Sequence, residues 1–357
     1  MILNLSDENF IEIMRNKNLH LPLRWSGTCF DVALSKLFDE YTHELFKYEE
    51  DEDNGYNVGY NRVESVCNGL KSAIREYHNG YPSRAFIKLK GVMNVLVKYP
   101  LREYQKSGEY QPLHSDTLKL YRVRNVSQNK DYDRKDIFHT PIGARPNIST
   151  CRYSIAGYPS LYLATSLDLC VEETPPSTLK IVARYEFIRN QPELNIRAIE
   201  LGIKPQDFTE ASNIFSEYNS NRRARRDLSE INLRDRKIRS AYLLWYPLIA
   251  ACSFIRADKT SAFSSEYIIP QLLMQWVRLQ SKRSELLGIR YFSCASIKAS
   301  ELGFDYVFPV SNTNFDNNFC SILRDMFLIT QPIFLHENFS IDECEWKLDS
   351  GIQLDKI

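Results

Sequence analysis

The sequence predicts an α+β protein in two parts: an all-helical N-terminal domain over residues 1–113, then a mixed-sheet domain over residues 114–357. Three observations predict it. Apolar residues recur at three- and four-residue steps in the first third of the chain. Short β-rich runs replace them from about residue 115. The length of 357 residues suits two domains of roughly 150 residues or more. The boundary falls within residues 110–117.

The first helix stripe is Val63, Val66, Leu70, Ile74 and Tyr77, which share one face. His78-Asn79-Gly80-Tyr81-Pro82 stops it. A second stripe, Ala85, Phe86, Leu89, Val92, Met93 and Leu96, follows with Ser83 as expected N-cap, and the two helices read as a hairpin. Upstream, the acidic run Tyr48–Asn54 reads as a solvated loop. In the second part, strands are expected over Leu120–Val126, Ser160–Ala164, Leu179–Phe187, Tyr242–Ile249, Arg290–Ser293 and Tyr306–Val310. Helices are expected over Asp207–Tyr218 and Gln271–Leu287. The most apolar run, Ala241–Ile255, is too short to span a membrane and contains Pro247, so it reads as one or two buried strands.

Charge excludes some functions. With 45 basic and 45 acidic residues the net charge is zero, unlike a protein that coats DNA by displacing counterions. The basic stretch Arg222–Arg239 holds eight basic and three acidic residues. It is read as an exposed element laced with ion pairs, with a nucleic-acid-binding module as the alternative. The eight cysteines form no Cys-x-x-Cys pair, which argues against structural zinc and for reduced cytosolic thiols. The N-terminal segment has no basic region and carries Asp7 and Glu8, unlike a signal peptide, so a cytoplasmic location is expected. Arg134–His139 matches the Arg-x-x-x-x-His spacing of some ribonucleases, but Pro141 and the β-rich surroundings argue against that role.

Two stretches carry more polar punctuation than a core needs. In Tyr121-Arg122-Val123-Arg124, Arg122 and Arg124 share one strand face. The stretch from Ile142 to Glu173 contains Arg145, Cys151-Arg152-Tyr153, the Gly157-Tyr158-Pro159 turn, Leu161-Tyr162-Leu163-Ala164 and Glu172-Glu173. In this order the elements resemble the RES-domain family, named for its Arg, Glu and Ser residues. Tyr121-Arg122 fits the family's first element, and Arg152 its second, with Cys151 in place of the usual Gly. Gly157 fits the turn and Tyr162 the strand. Glu173, eleven residues beyond Tyr162, fits the family's Glu, with Glu172 as the neighbouring alternative. Glu266-Tyr267-Ile268-Ile269-Pro270 resembles a later element, with Glu266 departing from the family's Asn. The family's Ser is assigned to Ser253, with Ser264 and Ser265 as alternatives. The resemblance covers roughly residues 117–310.

The resemblance implies a fold like that of ADP-ribosyltransferases, an activity that consumes NAD, and, for many members, a toxin held by an antitoxin. NAD would be substrate, with no further cofactor or metal implied. Cleaving the nicotinamide–ribose bond builds a cation at the ribose C1, which a fixed carboxylate stabilises as it grows; this role falls to Glu173. Arginine forks match the pyrophosphate oxygens, so Arg122 and Arg152 are expected there. Tyr162 would stack on the nicotinamide or bond a ribose hydroxyl, and Ser253 would orient a ribose hydroxyl, Glu173 or an attacking phosphate. Water as acceptor makes the enzyme a glycohydrolase; inorganic phosphate makes it a phosphorylase, with Arg124 or Arg145 holding that phosphate. An ADP-ribosyltransferase acting on a macromolecule is the alternative reading.

Overall fold

The computed structural model describes residues 5–26, 29–48, 57–101, 118–127, 130–188, 195–210, 233–280, 285–310, 315–316, 318–335, 340–350 and 353–357. It is an α+β protein: helices lead, and a mixed sheet follows.

Four helices open the chain: α1 (Asp7–Arg15), α2 (Phe30–Phe46), α3 (Asn57–His78) and α4 (Pro82–Leu96). Ser6 caps α1 by accepting from the Asn9 N–H. α3 and α4 form the expected hairpin, closed at Gly80 with φ of 81°. Pro82 takes the first turn of α4, where its missing N–H costs nothing, and Tyr81 rather than Ser83 occupies the cap position.

The chain continues through β1 (Leu120–Asn125), α5 (Arg134–Ile137), β2 (Ser160–Ala164), α6 (Leu167–Glu173), β3 (Lys180–Phe187) and β4 (Asn195–Leu201). Next come α7 (Pro205–Glu210), α8 (Arg236–Ala251) and α9 (Ile268–Gln280), then β5 (Glu285–Phe292) and β6 (Phe304–Pro309). The C-terminal segment adds β7 (Phe315–Asp316) and β8 (Phe319–Cys320), which pair with each other, and β9 (Phe327–Thr330), β10 (Ile333–Leu335) and β11 (Leu354–Asp355); among the described residues the main sheet runs β11-β9-β3-β1-β2-β6-β5-β4, with β10 also on β3. Among the described strands, only β4 and β5 pair in parallel.

The chain divides into two compact units, and the division is not a single cut near residue 113. Residues 203–220 and 226–276 cluster with residues 1–109, while residues 110–202 and 277–357 build the other unit. The expected strand over Tyr242–Ile249 is instead the middle of α8, the central helix of the first unit. From Tyr242 to Ala251 every residue of α8 is buried. A helix that is apolar on all sides shows no periodicity, so the run cannot be told from a buried strand by pattern. Pro247 leaves the Leu243 carbonyl without its helical donor, and the Tyr41 hydroxyl supplies one at 2.6 Å. Tyr242, Trp245 and Tyr246 likewise end on the carbonyls of Ile203, Tyr99 and Leu19. The helix expected over Gln271–Leu287 stops at Gln280, and β5 follows.

The sheet is apolar on both faces. Leu120, Leu161, Leu163, Ala183, Tyr185, Tyr306 and Phe308 join one cluster; Tyr121, Ala164 and Val182 join the other, beneath α6. β1 pairs with β3 over six positions and β2 with β6 over five, but β1 and β2 register only at Tyr121 and Ala164. The sheet therefore opens between β1 and β2.

Candidate active site

The α6 side of the sheet carries the polar residues. Cross-strand partners share a face. Ala164 pairs with Asp305, and Asp305 with Tyr291, so these three form one row under α6. Tyr162, partnered with Val307, lies one row along, and Ser293, two residues past Tyr291, continues the face beyond β5.

α6 delivers Glu173. Ser166 caps the helix, and its own hydroxyl donates to the Leu302 carbonyl. The Cys170 thiol points at the Tyr121 carbonyl at 3.2 Å and fixes α6 on β1. Thr174 bonds back to the Cys170 carbonyl, and Pro175-Pro176 prevents continuation, so α6 ends on Glu173. A carboxylate gains nothing from the C-terminal end of a helix dipole, so stability does not explain its placement. Glu173 keeps open surface although protein atoms surround it on most sides, as for a group in a recess.

The recess holds Glu173 with three polar partners. The fully buried Ser293 hydroxyl donates to Glu173 Oε1 at 2.5 Å. Asp305, also buried, shares a hydrogen bond with the Glu173 carboxyl. Arg152, buried to 9% exposure, is the cation that acts on Glu173. Desolvation raises the Glu173 pKa, while Ser293, Asp305 and Arg152 oppose the rise. Asp305 is raised well above the ordinary carboxyl range, by burial and then by the charge of Glu173. Arg152 is set by a turn in which Ser154 Oγ accepts from the Cys151 N–H at 3.0 Å and donates to the Cys151 carbonyl at 2.8 Å. Tyr162 donates its hydroxyl proton to the Tyr153 carbonyl at 2.6 Å, and the Tyr153 ring packs on Tyr291 at 4.6 Å.

Glu173, Arg152 and Tyr162 are thus brought together. Arg122 borders them across the opening of the sheet: its Nη1 donates to the Tyr162 carbonyl at 2.8 Å, and its field acts on the Cys151 and Cys170 thiols, which also feel Glu173. Glu172 turns outward to Lys298 at 2.8 Å, which separates the two glutamates. Arg124 shares the Arg122 face, as expected, but donates to the Asp136 carbonyl at 2.6 Å. Arg145 is exposed and lies over Tyr158, whose hydroxyl accepts from Arg278. These contacts direct Arg124 and Arg145 to other partners than the Glu173 recess.

Ser253 requires correction. It follows α8 in the helical unit, where its hydroxyl donates to the Ile249 carbonyl at 2.6 Å and its carbonyl accepts from the Leu23 N–H. Ser265 belongs to the same unit, 3.3 Å from His78 Nε2, and His78 Nδ1 lies 2.9 Å from Asp31. The serine beside Glu173 is Ser293. It sits in an expected strand, but the resemblance directs the choice of Ser only to positions upstream of Glu266-Tyr267. Asp305 is the other partner absent from the sequence reading; its signal is a lone acid within the apolar run Phe304–Pro309.

Of the basic stretch, residues 222–232 lie outside the described residues. In its described part Arg239 pairs with Asp7 at 2.8 Å. His139 is buried; its Nε2 accepts from the Cys320 N–H and its Nδ1 faces the Thr140 carbonyl, both at 2.9 Å, so its role here is structural. No helix among the described residues is long and apolar enough to cross a membrane.

Among known proteins, the chain is similar to one from Bacillus subtilis (strain 168) named "Putative toxin YopC": 28% identical over 318 residues, covering 87% of this chain and 67% of that protein. No family model matches the chain, and no solved structure matches it.

Proposed function

We propose that the chain is an intracellular toxin that consumes NAD by cleaving its nicotinamide–ribose bond, and that an antitoxin protein restrains it. One observation carries the reading: Glu173, the residue assigned from the RES resemblance, stands in a recess with a hydroxyl donor, a carboxyl partner and an arginine around it. Similarity to a protein named as a toxin supports the biological half of the proposal.

In this reading Glu173 faces C1 of the nicotinamide ribose. Its charge is worth more as the cation grows than in the ground state, because nearby protein has replaced water. Nicotinamide leaves neutral. The acceptor then bonds to C1: water gives ADP-ribose and a proton, and inorganic phosphate gives the 1-phosphate of ADP-ribose. Arg152 and Arg122 hold the pyrophosphate, whose charge does not change. Tyr162, its proton committed to a carbonyl, offers its ring and an oxygen acceptor.

The test is to incubate the full chain with NAD, with and without phosphate, and to resolve nicotinamide and the ribosyl product by chromatography and mass. Release that is lost in Glu173→Gln supports the proposal. No release from the folded chain, purified free of any bound inhibitor, overturns it. Labelled ribose appearing on a macromolecule overturns cleavage to free products and points to transfer.

A further inference from the structure

We infer that Asp305 is a positioning residue that works as a neutral carboxylic acid, donating a hydrogen bond to Glu173 so that two carboxyl groups share one proton and the negative charge rests on Glu173. The inference rests on the reading of Glu173 as the working anion.

The geometry leaves Asp305 little alternative. It is 3% exposed, second in the apolar strand β6, between Ala164 of β2 and Tyr291 of β5. Its Oδ2 is buried, and no N–H or hydroxyl donor reaches it. An ionised carboxylate so placed is costly, and the usual escape is to keep the proton. The groups facing it point the same way: Glu173 and Cys170 come from α6 and Tyr291 from β5, and none of them is a cation. Arg152 acts on Glu173, and Arg122 on the two thiols. Glu173 has the opposite situation, with the Ser293 hydroxyl as a second donor and open surface on one side. Two donors and one arginine favour the anion there, so the proton stays on Asp305. Buried carboxyl pairs elsewhere divide one proton in the same way, and their titration belongs to the pair.

The consequence is a bell-shaped pH profile. Loss of the first proton charges Glu173 and switches activity on. Loss of the second turns Asp305 from donor into a repelling anion and switches activity off. Asp305→Asn keeps the shape and a donor but cannot titrate. It is expected to retain turnover within about tenfold of wild type and the acid limb, and to move the alkaline limb up by at least about one pH unit. An unchanged bell overturns the inference, as does a folded Asp305→Asn chain as inactive as Glu173→Gln. A second measurement needs no turnover: carbon-13 titration of the aspartate side-chain carboxyls in the wild-type chain. The Asp305 carboxyl is expected to carry its proton through neutral pH, and to lose it at lower pH in Glu173→Gln. An Asp305 carboxyl ionised at pH 7 overturns the inference. A protonated Asp305 in a chain that never releases nicotinamide leaves the proton assignment standing and removes the NAD reading instead.

Discussion

Replacing Ser293 by Ala tests whether the Glu173 recess works as one unit. The Ser293 hydroxyl is fully buried and donates to Glu173 at 2.5 Å, the range of a charge-assisted bond. Hydrogen bonds to charged groups contribute about 1.5–3 kcal/mol, which corresponds to a fall of roughly 10- to 150-fold in kcat/KM if the bond strengthens the anion that the transition state needs. Ser293 Oγ also accepts from the Ala295 N–H at 3.2 Å, so the variant loses a structural bond as well. A double-mutant cycle with Glu173→Gln removes that contribution. The structural part appears in both backgrounds, whereas the charged part vanishes once residue 173 is neutral. Unfolding free energies from chemical denaturation give the four corners of the cycle, and nicotinamide release under kcat/KM conditions compares Ser293→Ala with the wild type. A Ser293→Ala penalty equally large in the Glu173→Gln background would refute the reasoning, because Ser293 would then act independently of the carboxylate.

Three further outcomes follow from the structure. Ser253→Ala should leave nicotinamide release unchanged and lower stability by about 1 kcal/mol or less, since its hydroxyl only returns to the Ile249 carbonyl; denaturant melts and the release assay read both. Gly202→Ala would put a Cβ 2.8 Å from Glu200 Oε1, 2.8 Å from Phe304 and 2.9 Å from Arg290 Nη1, disturbing the buried Arg290–Glu200 pair; a loss of about 1–3 kcal/mol in chemical denaturation is expected. Burial holds the His139 pKa down at about 4 from an ordinary 6.5, so the native state favours the neutral ring. The unfolded chain then binds more protons between these values. Stability is complete above pH 6.5 and falls toward pH 4, by up to about 3 kcal/mol, a slope that His139→Gln should flatten in urea melts across that range.

What could be read from the sequence follows from where side chains point. β1, β2, β3 and β6 announce themselves because each alternates or runs apolar between turn signals, and the α3–α4 hairpin because its stripes step by three and four. α8 escapes the pattern because burial on every side erases periodicity, and Pro247 gives no correction: it argues against a central strand as much as against a helix, and only the Tyr41 hydroxyl reveals how the helix tolerates it. Ser253 comes from the resemblance, as the serine upstream of Glu266-Tyr267; in the structure it follows α8, and its hydroxyl is bonded to its own turn. Glu173, Tyr162 and Arg152 come through the resemblance of ordered elements, each within a short stretch between β1 and the end of α6. Their partners Ser293 and Asp305 do not, since strand pairing brings them in from more than a hundred residues away.

The opening between β1 and β2 explains why polar residues gather where a continuous sheet would exclude them. Had the two strands paired along their length, the Tyr162 carbonyl would receive a ladder N–H, and Arg122, on the face of Ala183, would be closed off from the α6 side. With pairing limited to Tyr121 and Ala164, that carbonyl accepts the guanidinium instead, and the Arg122 field reaches through to the Cys170 thiol of α6. Strand pairing is thus given up on one side of β2 while five positions on β6 keep the strand anchored. The same strand therefore presents Tyr162 and, through β6, Asp305 to the recess on a fixed support, with Arg122 entering from the open side. An arginine and a carboxylate enter one site from opposite faces of the sheet, so alternation along any single strand does not show that they belong together.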